Sequence, residues 1–247
     1  MNSIKISAVN YTNTKPFLYG IQHTDIINQI DLSLDIPADC AQKLIDDKVD
    51  IGLIPVAATL NLPYWEIVAT YCIGATGPVN SVFIFSNCAI EDIKQIQLDP
   101  ESRSSNNLAK VLLKNFWKIA PEQITNADDY SFSPDPHTAF VQIGDRTFGK
   151  TKKYPFVYDL AGEWQKFTGL PFVFAAWIAN KPIPAAFVEE FNNSLKYGLD
   201  HRAEVLKELP PRNDFDMEDY LMHKLDFILN EDKKKALYLF LEYIKAL

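Results

Sequence analysis

The sequence predicts an α/β fold in two lobes with a cleft between them. Three observations lead there. Apolar runs of strand type take turns with helical stripes up to about residue 180. Two long apolar strands, near Ser81 and near Phe172, flank a central block with βαβ units of its own. From Pro184 to the end only helical stripes remain. The 247 residues are natural for two such lobes.

Taken in order, "IKISAV" alternates as a first strand, and "IDLSLDI" places Ile30, Leu32, Leu34 and Ile36 on one face of a second. Pro37 suits a helix start, and Cys40, Ala41, Leu44 and Ile45 form its stripe. "IGLIPVA", "EIVATYCIGA" and "SVFIFS" read as buried strands. "IQLD" feeds a helix whose Leu108, Val111, Leu112 and Phe116 repeat at helical spacing. "AFVQIGD" and "LPFVFAAWIA" are later buried strands. Phe187, Phe191, Leu195 and Leu199 form one C-terminal stripe, and Leu237, Phe240, Leu241 and Ile244 another, with Pro210 and Pro211 between them. This order predicts mainly parallel sheets. One lobe would combine residues 1–82 with 175–247, and the other would hold 83–174. Ligands of such folds sit at strand C-termini and helix N-termini.

Composition removes several functions. A net charge of -8 with no basic block argues against a nucleic-acid partner. The short charged runs Lys150–Lys153 and Glu231–Lys235 read as solvated. No run of eighteen apolar residues predicts a membrane span, and "MNSIKISAVN" has no secretory apolar region. Cys40, Cys72 and Cys88 lack metal or redox spacing and read as buried, reduced thiols of a cytosolic protein. His23, His137, His201 and His223 show no ligand spacing, so no metal is expected. There is no P-loop, no GxGxxG and no GxSxG.

Three polar clusters each follow a predicted strand. Tyr11, Asn13 and Thr14 occupy the first strand-to-helix turn, which holds neither glycine nor acid. "GATGPVNSV" offers Gly77 for a tight turn and places Ser81 near a lobe crossing. "LDPESRSSNN" starts a helix within Ser102–Ser105, where free N–H groups and hydroxyls favour an anion and Arg103 could add a bidentate contact. Each also has a plain structural reading: caps for Asn13, Thr14 and the serines, a surface ion pair for Arg103, an ordinary loop for "GATGP". Convergence of all three at strand ends is what favours a cleft.

The motifs "YTNTKP", "CAQKLIDDKVDIGLIPVA", "CIGATGPVNSVFIFS", "LDPESRSSNNLAKVLL", "IGD" and "YDLAGEWQKFTGLPFVFAAW" occur in this order. Together, from Ile4 to Ala179, they resemble the chorismate dehydratase family of the futalosine route to menaquinone. Thr12, Lys48, Ser104 and "DLAGEW" differ from the family's usual residues. The resemblance implies a type 2 periplasmic-binding-protein-like fold, a cytoplasmic hydro-lyase and no cofactor. It implies a dianionic small-molecule substrate, chorismate, and leaves the oligomeric state open. Asn13 and Ser81 would act on the reacting ring. Ser104 and Ser105, with Arg103, would hold one carboxylate and the Gly77–Ser81 segment the other, with Tyr11, Thr14 and Asp145 beside them. For the proton acceptor, Asp145, Glu163 and the substrate's own side-chain carboxylate all remain candidates. A dihydroxynaphthoate synthase-like lyase and a non-catalytic solute-binding protein share the fold. So does a regulator's effector domain, which would need a DNA-binding helix-turn-helix.

Overall fold

The computed structural model describes residues 3–125 and 135–247. Strands β1 (Ile4–Val9), β2 (Ile30–Asp35), β3 (Ile51–Pro55) and β4 (Glu66–Ala75) come first, with helices α1 (Lys15–Gln22) and α2 (Pro37–Ile45) among them. Next come β5 (Val82–Ser86), β6 (Gln95–Gln97), α3 (Arg103–Val111), β7 (Glu122–Ile124), β8 (Thr138–Ile143) and β9 (Phe156–Asp159). Helix α4 (Leu160–Thr168) leads into β10 (Phe172–Ala179). Helices α5 (Ala185–Asp200), α6 (Arg202–Glu208), α7 (Met217–Asp219) and α8 (Glu231–Lys245) complete the chain. The strands form two sheets, ordered β2-β1-β3-β10-β4 and β7-β6-β8-β5-β9.

The expectation of mainly parallel sheets is corrected. Four of the eight pairings are antiparallel, and each of those involves β5 or β10. The reason is connectivity. β5 and β10 are the strands that carry the chain into a new sheet from the cleft. They therefore run against neighbours whose C-termini point toward the cleft. The C-termini of β3 and β8, at Pro55 and Ile143, line a cavity together with the end of β1 at Val9 and with Val82 and Phe174.

Three further expectations are refined. β2 is an edge strand, so its apolar face is only partly covered; Leu34 and Ile36 remain 44% and 42% exposed. The helix after β6 is α-helical to Val111, then tightens no further but widens into a π turn, Leu112–Trp117, that stops at a left-handed Lys118. The run Glu231–Lys235 is not wholly solvated. The Lys233 side chain is fully buried, and its Nζ lies 2.5 Å from Asp226 Oδ1 and 2.6 Å from the Ile228 carbonyl oxygen. Burial alone would raise the Asp226 carboxyl, but Lys233 and Thr76 outweigh it and hold it below its ordinary value. This pair fixes a segment that runs along the free edge of β4. There Asp226 N–H donates to the Gly74 carbonyl, Cys72 N–H to that of Phe227, and Leu229 N–H to that of Thr70. The edge is thereby closed to other chains.

One helix crossing positions the first polar turn. α1 and α5 meet at Gly20 and Gly198 so closely that a Cβ on Gly198 would lie 1.8 Å from the Pro16 oxygen. A Cβ on Gly20 would lie 2.0 Å from the Ser194 oxygen. Beneath the crossing, Phe17 packs edge-on against Trp177 and Phe227. Each such aromatic pair is worth about 0.5–1.5 kcal/mol beyond its buried area. α1 begins directly after the turn Thr12–Thr14, so the crossing fixes where that turn points. Gly198→Ala should lower unfolding free energy by about 1–3 kcal/mol, as overpacking does. An unchanged midpoint in urea would show that the crossing tolerates a methyl group.

Candidate functional site

The strand ends line a partly open cavity of about 60 Å³ between the two sheets. β1 and its turn contribute Val9, Tyr11, Asn13 and Thr14. The crossing strands contribute Val79, Ser81, Val82, Phe174 and Ala175. Ser102, Ser104 and Ser105 come from the start of α3, and Leu53, Pro55, Ile73 and Leu225 add apolar wall. Among the described residues, none in the lining carries a charged side chain.

The cavity hydroxyls are engaged in a consistent way. Ser104 Oγ accepts from the Ala57 N–H (3.1 Å), across from the turn after β3. Ser102 Oγ caps α3 by accepting from the Ser105 N–H (3.1 Å). Ser81 Oγ accepts from the phenol of Tyr220 (2.9 Å). A hydroxyl has one proton to give. Each of these serines takes its protein hydrogen bond as acceptor and keeps its own proton for another partner. Thr14 Oγ1 donates to Asn13 Oδ1 (3.2 Å), which leaves the Asn13 amide N–H groups as donors. The wall is therefore a set of neutral donors.

Charged groups stand behind it as scaffold. Asp145 accepts from Thr12 Oγ1 (2.9 Å) and from the Thr12 N–H (3.2 Å). Burial raises the Asp145 carboxyl above its ordinary value, and the Thr12 bonds oppose that. Beside it, Gly144 has φ +63°, and a Cβ there would lie 2.9 Å from the Tyr11 ring. The Tyr11 phenol donates to Glu101, which lies 3.3 Å from Arg146; Arg146 in turn grips Asp99 at 2.8 Å. Burial, then Glu101, pushes the Tyr11 phenol up, so it stays neutral. On the far side Phe148 stacks on Phe215 with ring centres 3.8 Å apart, and Arg212 lies over its ring.

The structure thus gathers Tyr11, Asn13, Thr14, Ser81, Ser104 and Ser105 around one cavity. Gly77, Arg103 and Asp145 are not in its lining. Arg103 points away and donates to Gln42 Oε1 (3.0 Å). Gly77 has φ +97° and faces the Gln165 side chain. One backbone donor of the Gly77–Ser81 segment is taken. Asn80 N–H donates to Asp159 (2.7 Å), which also caps α4. Asp145 is spent on Thr12, and Glu163 pairs with Lys166 at 2.7 Å on α4. Neither acid lines the cavity. Sequence reasoning missed Tyr220, which lies 139 residues from Ser81 in a stretch with no strand-end pattern. It also treated Ser102 only as part of a helix start. The S-x-x-S spacing of an N-cap was its one available signal.

Among the described residues no group of three or more His, Cys, Asp or Glu is placed to hold a metal ion. No helix among them is long and apolar enough to cross a membrane. Asp145→Ala would leave both Thr12 donors unmet, at a cost of about 1–3 kcal/mol. Asp145→Asn, which keeps one acceptor oxygen, should lose less. Thermal melts of the two variants check this order, and a wild-type melt for Asp145→Ala would sink the clasp.

A family model described as menaquinone biosynthesis matches residues 4–246. The chain is 25% identical over 196 residues to the chorismate dehydratase of Thermus thermophilus, covering 69% of each. A crystal structure of an Archaeoglobus fulgidus protein superposes with a TM-score of 0.72 at 14% identity, over 99% of this chain and 97% of that one. A Candida albicans gene product with the generic periplasmic binding protein fold gives 0.64 at 10% identity, over 100% and 91%. The alkanesulfonate-binding protein of Xanthomonas axonopodis, solved with MOPS, gives 0.62 at 15% identity, over 97% and 90%. At such identities the likeness is one of fold, and the fold is that of the periplasmic binding proteins.

Proposed function

The chain belongs to the menaquinone biosynthesis family whose model spans residues 4–246, and from that premise we propose that it is a chorismate dehydratase. In this reading it is a cytoplasmic hydro-lyase of the futalosine route. It converts chorismate to 3-[(1-carboxyvinyl)oxy]benzoate and water. The observation that carries the reading is the lining of the cavity: hydroxyl and amide donors on an apolar wall, with no charged side chain.

Chorismate brings two carboxylates, and neutral donors can hold both. Ser104 and Ser105 at the start of α3 suit one of them, helped by the helix N-terminus. Asn13 and Ser81 face the reacting ring. The absence of a lining cation has a chemical consequence. A Lys or Arg beside a carboxylate lowers its proton affinity, whereas hydroxyls and amides leave more of it in place. No lining side chain is a competent base, since Asn13, Thr14 and the serines cannot serve. The substrate's side-chain carboxylate is then the proton acceptor. It takes the hydrogen from the ring carbon that bears the ether. The C–H electron pair becomes a ring double bond, and the hydroxyl on the next carbon departs as water after gaining a proton. The ring becomes aromatic, so the thermodynamic drive lies in the substrate. The protein's task is orientation and stabilisation of developing charge in a water-poor cleft.

Purified protein incubated with chorismate should yield a species lighter by one water, with the absorbance of a substituted benzoate. Chorismate bound but returned unchanged would instead favour a solute-binding protein, the role of several proteins of this fold. Asn13→Asp removes the amide donor and adds a negative charge to an uncharged cavity. Turnover should fall by about a hundredfold or more, with the thermal midpoint kept. Wild-type turnover in that variant would reduce Asn13 to a part of the turn.

A further inference from the structure

Tyr220 is a fully buried phenol that the chemistry above does not use. It lies on the π turn Tyr220–Lys224, after α7, in the C-terminal part of the chain. Its hydroxyl donates to Ser81 Oγ at 2.9 Å, and Ser81 is one of the two polar residues that face the reacting ring. The direction follows from chemistry, since a phenol is a stronger donor than an alkyl hydroxyl. Among the described residues Ser81 Oγ has no other hydrogen-bond partner, so its own proton is free for the cavity.

We propose that Tyr220 is a positioning residue whose phenol, by donating to Ser81 Oγ, makes Ser81 meet the ligand as a donor. The ligand group it faces is the departing oxygen. The inference deepens the dehydratase reading and, for its kinetic test, rests on it. The ring itself is held independently of the hydroxyl, edge-on to Phe148 (5.4 Å) and to Phe215 (5.3 Å). A phenylalanine can therefore fill the same space and remove only the donor.

The test is a double-mutant cycle of Tyr220→Phe and Ser81→Ala on chorismate turnover. Tyr220→Phe alone should lower kcat about tenfold, the rate equivalent of one hydrogen bond. KM should change less than about threefold, since the group acts through Ser81 and touches no carboxylate site. The double variant should be no slower than Ser81→Ala, because two residues acting through one contact do not add. Additive losses, or wild-type kcat in Tyr220→Phe, would overturn the proposal. If wild-type protein leaves chorismate unchanged, the dehydratase reading fails by itself. The Tyr220–Ser81 contact is then read in a ligand-free crystal structure of Tyr220→Phe. Ser81 adopting a new rotamer supports the proposal, and an unmoved Ser81 side chain overturns it.

Discussion

The carboxylate of Asp145 holds the protein's two halves in register. It sits at the end of β8 in the second sheet and takes both the backbone N–H and the hydroxyl of Thr12, at the end of β1 in the first. Hydrogen bonds to an ionised acceptor are stronger than neutral ones. Spanning 133 residues of sequence, this contact fixes the distance between two strand ends that share no sheet. The Tyr11 ring seated on Gly144 and the Tyr11–Glu101–Arg146 chain reinforce it. The cavity exists because these ends are held apart at one side and bridged at the other.

A division of labour follows. Charges serve as scaffold, and neutral groups face the ligand. Buried Asp99 clusters with half-buried Glu101 and Arg146, Asp159 gathers backbone donors at α4, and Asp226 with Lys233 pins the segment beside β4. Breaking such pairs is costly because it strands a charge away from water. That cost is tolerable where the groups never move. In the proposed elimination a fixed charge in the cavity would bind a substrate carboxylate or repel it, and either would alter the proton affinity on which that reaction depends. Serine, threonine and asparagine avoid this while still directing hydrogen bonds.

The C-terminal segment completes the site from outside the strand-end pattern. Leu225 contributes apolar wall, Tyr220 touches Ser81, and Phe215 with Arg212 encloses Phe148 of the second sheet's side. The stretch Ile143–Gly149 is thus gripped by the β1 turn on one side and by the C-terminal segment on the other. Both grips flank the same cavity.

Sequence by itself determined the α/β class, the order of the elements and the three polar turns. These depend on local period and local turn chemistry, which a single chain displays. It also placed Asn13, Ser81, Ser104 and Ser105 at strand ends before any coordinates. It could not decide which way a side chain faces. Arg103 and Ser104 are neighbours, yet one reaches Gln42 outside and the other reaches Ala57 beside the cavity. It could not see that Asn80 spends its N–H group on Asp159, or that Lys233 in a charged run is buried against Asp226. Strand direction in β5 and β10, the partner of Thr12 and the arrival of Tyr220 at Ser81 were decided by tertiary structure alone. Each depends on contacts between residues far apart in the chain, and the energy of a contact is not written in either partner separately.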